Sequence, residues 1–96
     1  MTRYFLKLGD LLRAARTKAG LSQNDVAKKL KFEQQFVSSW ERGISAPPFR
    51  RMNKLAELYH ISLDQIQNAL LDDAIERTRL QIEDEFLKLS KKRRSG

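Results

Sequence analysis

The stretch QNDVAKKLKFEQQFVSSWERG, residues 23–43, decides the fold. Val26, Ala27 and Leu30 share one face of a short helix running from about Gln23 to Leu30. Phe36, Val37 and Trp40 repeat the pattern a few residues later, and Gly43, able to take a positive φ, closes this second run. Ser22 with Asp25 three residues on has the form of a capping box in which Asp replaces Glu. The spacing therefore predicts two short helices joined by a tight turn, with Ala27 small enough to let them cross closely. Val26, Ala27, Leu30, Phe32, Phe36, Val37 and Trp40 are expected to face inward, and Gln34, Gln35, Ser38 and Ser39 outward.

On the N-terminal side, Leu8, Leu11, Leu12, Ala15 and Ala19 line one face of a preceding helix that Gly20 stops. On the C-terminal side, Pro47 and Pro48 interrupt the chain. Phe49, Met52, Leu55, Ala56 and Tyr59 then supply the apolar face of a fourth helix, with Pro48 suited to its first turn. Ser62 and Gln65 form a full capping box ahead of Leu63, Ile66 and Leu70, which predicts a fifth. Beyond it Leu71, Ile75, Thr78, Ile82, Phe86 and Leu89 advance at a mean spacing of about 3.6 residues, the helical period. Asp73 with Arg77 and Asp84 with Lys88 are i, i+4 pairs in the favourable orientation. The final helix either continues the fifth or restarts at Asp72-Asp73, where Asp73 and Glu76 offer a second cap. No segment alternates with period two over a useful length. The expected architecture is all-α: a five-helix domain over residues 1–68, an amphipathic helix over 69–90 and a basic tail over 91–96.

Ninety-six residues allow one core, and 41% hydrophobic with 32% charged residues suits a soluble, folded chain. There is no cysteine and a single histidine, His60, so disulfides, thiolate metal sites and histidine clusters are excluded, and neither a cofactor nor a metal is expected. His60 has no second ligand or nucleophile beside it in the sequence and is assigned no catalytic role, so no enzyme is expected. The longest apolar runs are three residues, which points to a cytoplasmic protein with no membrane span. The net charge of +7 favours polyanionic partners. It is unevenly spread: residues 1–68 carry 12 basic and 6 acidic side chains, residues 69–87 carry 2 and 6, and residues 88–96 carry 5 and none. The first two-thirds is therefore the expected nucleic-acid surface.

Two short helices crossing at a small residue follow the logic of a helix-turn-helix, whose second helix enters the major groove of DNA. LGDLLRAAR (8–16), GLSQ (20–23), VAKKL (26–30) and SSWERG (38–43), followed by a proline and a helix ending before Ile61, resemble the phage repressor and Cro-like helix-turn-helix family in order and spacing. The resemblance covers about residues 6–68 and implies a lambda-repressor-like domain acting as a sequence-specific regulator of transcription on double-stranded DNA, in the repressor sense.

The resemblance also implies residue roles. Arg16 and Glu41 stand where the family forms a structural ion pair, and Gln23 where it clamps a backbone phosphate. Gln34 and Gln35 begin the recognition helix, and a glutamine amide can bond adenine at N6 and N7. Ser38 and Ser39 follow one turn on as further base-reading candidates, and Arg42, Ser45 and Arg50 stand where the family grips phosphates. Two positions depart from the pattern: Lys31 replaces the usual turn glycine and Glu33 the usual Ser or Thr cap. Phe36 and Trp40 could stack on single-stranded bases, but their i, i+4 placement on the inner face predicts core. Beyond the domain, Leu71, Ile75, Ile82, Phe86 and Leu89 are expected to form a homodimer interface that lets the protein read a second half-site. The alternative is an antitoxin whose last helix holds a toxin, and a third reading is a protein-binding bridging factor.

Overall fold

The stretches whose apolar spacing predicts helices are helical in the computed structural model, which describes residues 4–95 and side chains as far as Lys91. In chain order they are α1 (Leu6–Lys18), α2 (Gln23–Leu30), α3 (Gln34–Glu41), a 3-10 turn (Phe49–Arg51), α4 (Met52–Tyr59) and α5 (Leu63–Ser95). Among the described residues there is no strand, so the fold is all-α. The side chains of the expected basic tail beyond Lys91 lie outside the described residues.

Helices of eight residues are marginal alone, and these are stable because each buries a face in one shared core. Leu8 and Leu12 of α1, Val26 and Leu30 of α2, Val37 and Trp40 of α3, Leu55 and Tyr59 of α4 and Ile66 of α5 are all buried. Local chemistry sets the boundaries. Ser22 Oγ accepts the Asp25 N–H at 3.0 Å while Asp25 accepts the Ser22 N–H at 2.9 Å, the expected box at the start of α2. Ser62 and Gln65 make the same reciprocal pair ahead of α5, at 3.1 and 2.9 Å. Lys31 ends α2 in the left-handed region at φ 60°, at a cost of about 1 kcal/mol.

Glycine is required at two places. A Cβ on Gly9 would lie 2.7 Å from the Glu41 carbonyl oxygen and 2.9 Å from that of Trp40, so α1 can lie against the end of α3 only without a side chain there. Gly43, at φ 76°, turns the chain out of α3, and its carbonyl accepts the Phe5 N–H at 3.0 Å.

Three residues of the expected apolar faces are not in the core: Leu63, in the first turn of α5 and exposed, and two phenylalanines. Phe36 is 44% exposed. It sits in the first turn of α3, and its ring only leans edgewise on Phe32, which in turn meets Trp40, the buried member of the trio. Phe49 is 83% exposed, because the chain after Pro48 runs as a 3-10 turn with a different periodicity and α4 starts only at Met52.

The last third is one uninterrupted helix. α5 runs 33 residues, about 50 Å, along a molecule whose longest dimension is 59 Å. Asp73 starts no second helix and does not pair with Arg77. Its buried carboxylate instead accepts the backbone N–H groups of Lys7 and Leu8, both at 3.0 Å. Phe5 precedes α1 and offers no capping side chain, so α5 supplies the missing cap across the fold. One turn further, the Arg77 guanidinium donates to the Tyr4 carbonyl at 2.8 Å and lies over the rings of Tyr4 and Phe5. The body expected to end at residue 68 therefore packs on through Ala69 and Asp73 to Arg77.

Candidate nucleic-acid interface

The outer surface of α2, the turn and α3 is built from a buried anchor outward. Arg16 of α1 donates to Glu41 at the end of α3 through Nε (2.5 Å) and Nη2 (3.0 Å), and its Nη1 reaches the Leu21 carbonyl at 2.7 Å. The Glu41 side chain is only 3% exposed and that of Arg16 15%. With two parallel bonds at the guanidinium fork, the pair has the geometry in which Arg and carboxylate bind best. The hydrogen bond to Glu41 raises the arginine further above its ordinary value, against a smaller opposing effect of burial. The neighbouring Tyr59 phenol is also pushed up, first by burial and then by the charge of Glu41.

From Glu41 the network runs to the surface. Gln23 at the start of α2 donates its Nε2 to Glu41 Oε1 at 3.1 Å, which turns its own carbonyl oxygen away from Glu41. The Gln34 amide in the first turn of α3 donates to that oxygen at 3.5 Å. Gln34 is thus linked to Arg16 through two intervening side chains. Gln35 beside it is exposed, and Ser38 lies one turn on, half-buried. The Ser39 and Ser45 hydroxyls bond one another at 2.9 Å, which joins a candidate base reader on α3 to a candidate phosphate contact on the following loop. Arg42 folds its Nε toward the Ser38 carbonyl at 3.4 Å, and Arg50 projects from the exposed 3-10 turn.

A polar hollow of about 370 Å³ gathers several of these groups: Gln23, Ser38, Glu41 and Arg42, with Leu6, Asp10 and Arg13 from α1. Arg13 is a residue that the motif does not single out. Its only signal in the sequence is the i, i+3 spacing from Arg16, which sets both on one side of α1. The hollow brings Gln23, Ser38 and Arg42 together; Gln35, Ser39, Ser45 and Arg50 are outside its lining. Glu33, at the N-cap position of α3, makes no capping bond.

The stripe on α5 is exposed as its spacing predicts, with Leu71, Ile75, Ile82, Phe86 and Leu89 each more than half accessible. At 100° per residue this line lies roughly 180° around the helix from Ile66, Ala69, Asp73 and Arg77, which face α1 and the core. The stripe consequently does not fold back on its own domain. Leu80 and Leu87, also exposed, prolong the core-facing side past the end of the body. Among the described residues no helix is long and apolar enough to cross a membrane.

Comparison with known proteins agrees with this geometry. A stretch of 61 residues is 36% identical to the HTH-type transcriptional regulator ImmR of Bacillus subtilis (strain 168), covering 64% of this chain and 48% of that protein. The chain thus spans about half the length of the curated relative it matches. Residues 12–66, which hold the Arg16 to Glu41 brace, the tight turn at Lys31 and the whole of α3, match the family model described as Helix-turn-helix. With more than half its length covered in that way, the chain belongs to the helix-turn-helix family.

Proposed function

We propose that the protein is a sequence-specific regulator of transcription that lays α3 in the major groove of double-stranded DNA and acts as a repressor. The observation that carries this reading is the chain of bonds from Arg16 through Glu41 and Gln23 to Gln34. It brings the Gln34 amide within 3.5 Å of the Gln23 carbonyl oxygen at the leading end of an exposed helix, where an amide can read a base edge. Gln34, Gln35, Ser38 and Ser39 are the base-reading set, with Ser39 oriented by Ser45. Gln23, Arg42, Ser45 and Arg50 hold phosphates, and Arg13 adds a cation beside Gln23 and Arg42. The basic excess over residues 1–68 supports the same surface. Repression asks nothing of the protein beyond occupancy of its site.

Few base-reading side chains specify few base pairs, so the reading includes a homodimer through Leu71, Ile75, Ile82, Phe86 and Leu89, which doubles the site. An antitoxin is the second reading, favoured by the same exposed stripe if a toxin fills it. We place the protein in the cytoplasm, where its DNA would be. Selection of bound sequences from a random duplex library tests the main reading. A defined consensus, preferred over random duplex by at least a thousandfold at fixed salt, supports it. Recovery of no consensus would remove it.

A further inference from the structure

We propose that two copies pair through α5 in antiparallel orientation, with the hollow at the near end of each stripe receiving the bulk at the far end of the other. This rests on the homodimer reading above and adds its geometry. The stripe is not uniform along its length. Its first half is a shallow groove lined by Leu71, Ala74, Ile75, Thr78, Arg79 and Ile82, where Ala74 and Thr78 are too small to fill the surface. Its second half carries Phe86, the largest side chain on the stripe and 66% exposed. Parallel pairing in register sets groove against groove and leaves a void between them, which packed interfaces do not tolerate. Antiparallel pairing brings Phe86 of each copy to the level of the groove of the other, and the two-fold axis then crosses α5 near residue 80. The same register sets Leu71 against Leu89 and Thr78 against Ile82.

Arg79 rims the groove with its guanidinium already paired to Glu76 and Glu83, so the Phe86 ring seats beside a neutralised cation. Leu80 and Leu87 lie on the opposite side of the helix and take no part.

The chain has no cysteine, which makes its orientation simple to read. Full-length Leu71→Cys and Leu89→Cys variants, one carrying an affinity tag, are oxidised alone and mixed, after sedimentation equilibrium at micromolar concentration. The expected result is a dimer that crosslinks in the mixture and in neither variant alone. Crosslinking of each variant with itself, in a protein that sediments as a dimer, overturns the antiparallel arrangement and leaves the homodimer standing. A monomer at that concentration removes the homodimer itself and assigns the stripe to another protein. As a check independent of cysteine placement, Phe86→Ala is expected to weaken dimerisation at least tenfold while leaving the helical circular dichroism of the domain unchanged. An unaltered dimer would count against the seating of Phe86.

Discussion

Asp73 caps a helix that lies 65 residues earlier in the chain: its carboxylate accepts the Leu8 N–H at 3.0 Å, in a buried setting. A helix N-terminus leaves its first N–H groups without partners, and α1 has no side chain of its own to satisfy them. Asp73→Ala is therefore expected to cost about 1–3 kcal/mol, the range for a buried donor left unpaired. Urea denaturation measures the loss, and the Lys7 and Leu8 amides should exchange faster with solvent. Truncation after Leu80 keeps this cap and should leave a stable domain, whereas truncation after Asn68 removes it and should lower the urea midpoint.

Gly9→Ala sets two effects against each other. Helix propensity alone favours alanine by about 1 kcal/mol. The new Cβ, however, meets backbone carbonyls of α3 rather than flexible side-chain ends, and overpacking of that kind costs about 1–3 kcal/mol. A net destabilisation is expected, together with weaker DNA binding as α1 and α3 are pushed apart. A variant more stable than the parent would show that the two helices can separate freely.

The Arg16 to Glu41 brace should behave as a coupled pair. Removing either partner strands a buried charge, at about 3–5 kcal/mol, while replacing both by apolar residues should cost less than the two single losses added together. Glu41 also holds Gln23, so Glu41→Ala should weaken specific DNA binding more than non-specific binding. Strictly additive stability losses in the double-mutant cycle would argue against coupling.

Base reading and phosphate holding are separable by salt. Gln34→Ala or Gln35→Ala is expected to cost about 1–3 kcal/mol on the preferred site and to relax selectivity at one base pair, with non-specific affinity unchanged. Arg42→Ala and Arg50→Ala should each weaken binding to every sequence and reduce the salt slope by about one unit. Fluorescence anisotropy over a series of salt concentrations distinguishes the two patterns.

The capping box of α2 predicts a dependence on pH. The Ser22 backbone N–H, and after it the Ser22 side chain, holds the Asp25 carboxyl below its ordinary value. The stabilisation is then fully present above the ordinary aspartate range, about 4, and is lost as the pH falls through the lower folded value. The difference in melting temperature between the parent and Asp25→Asn should accordingly be largest near neutrality and shrink toward pH 2. A difference that grows on acidification would reverse the sign of this argument.

Much of this was legible from spacing and short motifs, because in small helices the side-chain chemistry acts locally. The boxes at Ser22 and Ser62, the turn at Lys31 and the burial of Trp40 all follow from residues within four positions of one another. Phe36 and Phe49 were misread for a related reason: apolar periodicity marks a face but says neither how far that face extends past the core at a helix's first turn, as at Phe36, nor where the helix begins, as at Phe49. The partners of Asp73 and Arg77 were illegible because they lie more than sixty residues away, and the i, i+4 spacing offered a plausible local pairing instead. Within the candidate interface, the link between Gln23 and Gln34 joins two helices through side chains alone and leaves no trace in periodicity.

Because α5 passes from the body into its projecting half without a break, the two are phased like marks on a single shaft. Each residue inserted into a helix turns everything beyond it by about 100°. One extra residue placed after Arg77 would leave the clasp on α1, Leu71 and Ile75 where they are and swing Ile82, Phe86 and Leu89 a quarter-turn or more around the axis, with no change in composition, charge or length worth noting. A flexible tether would absorb such an insertion unnoticed. Here the bearing of the outer surface relative to α3 is set by the count of residues between them, so the region after Arg77 should accept substitutions far more readily than insertions or deletions.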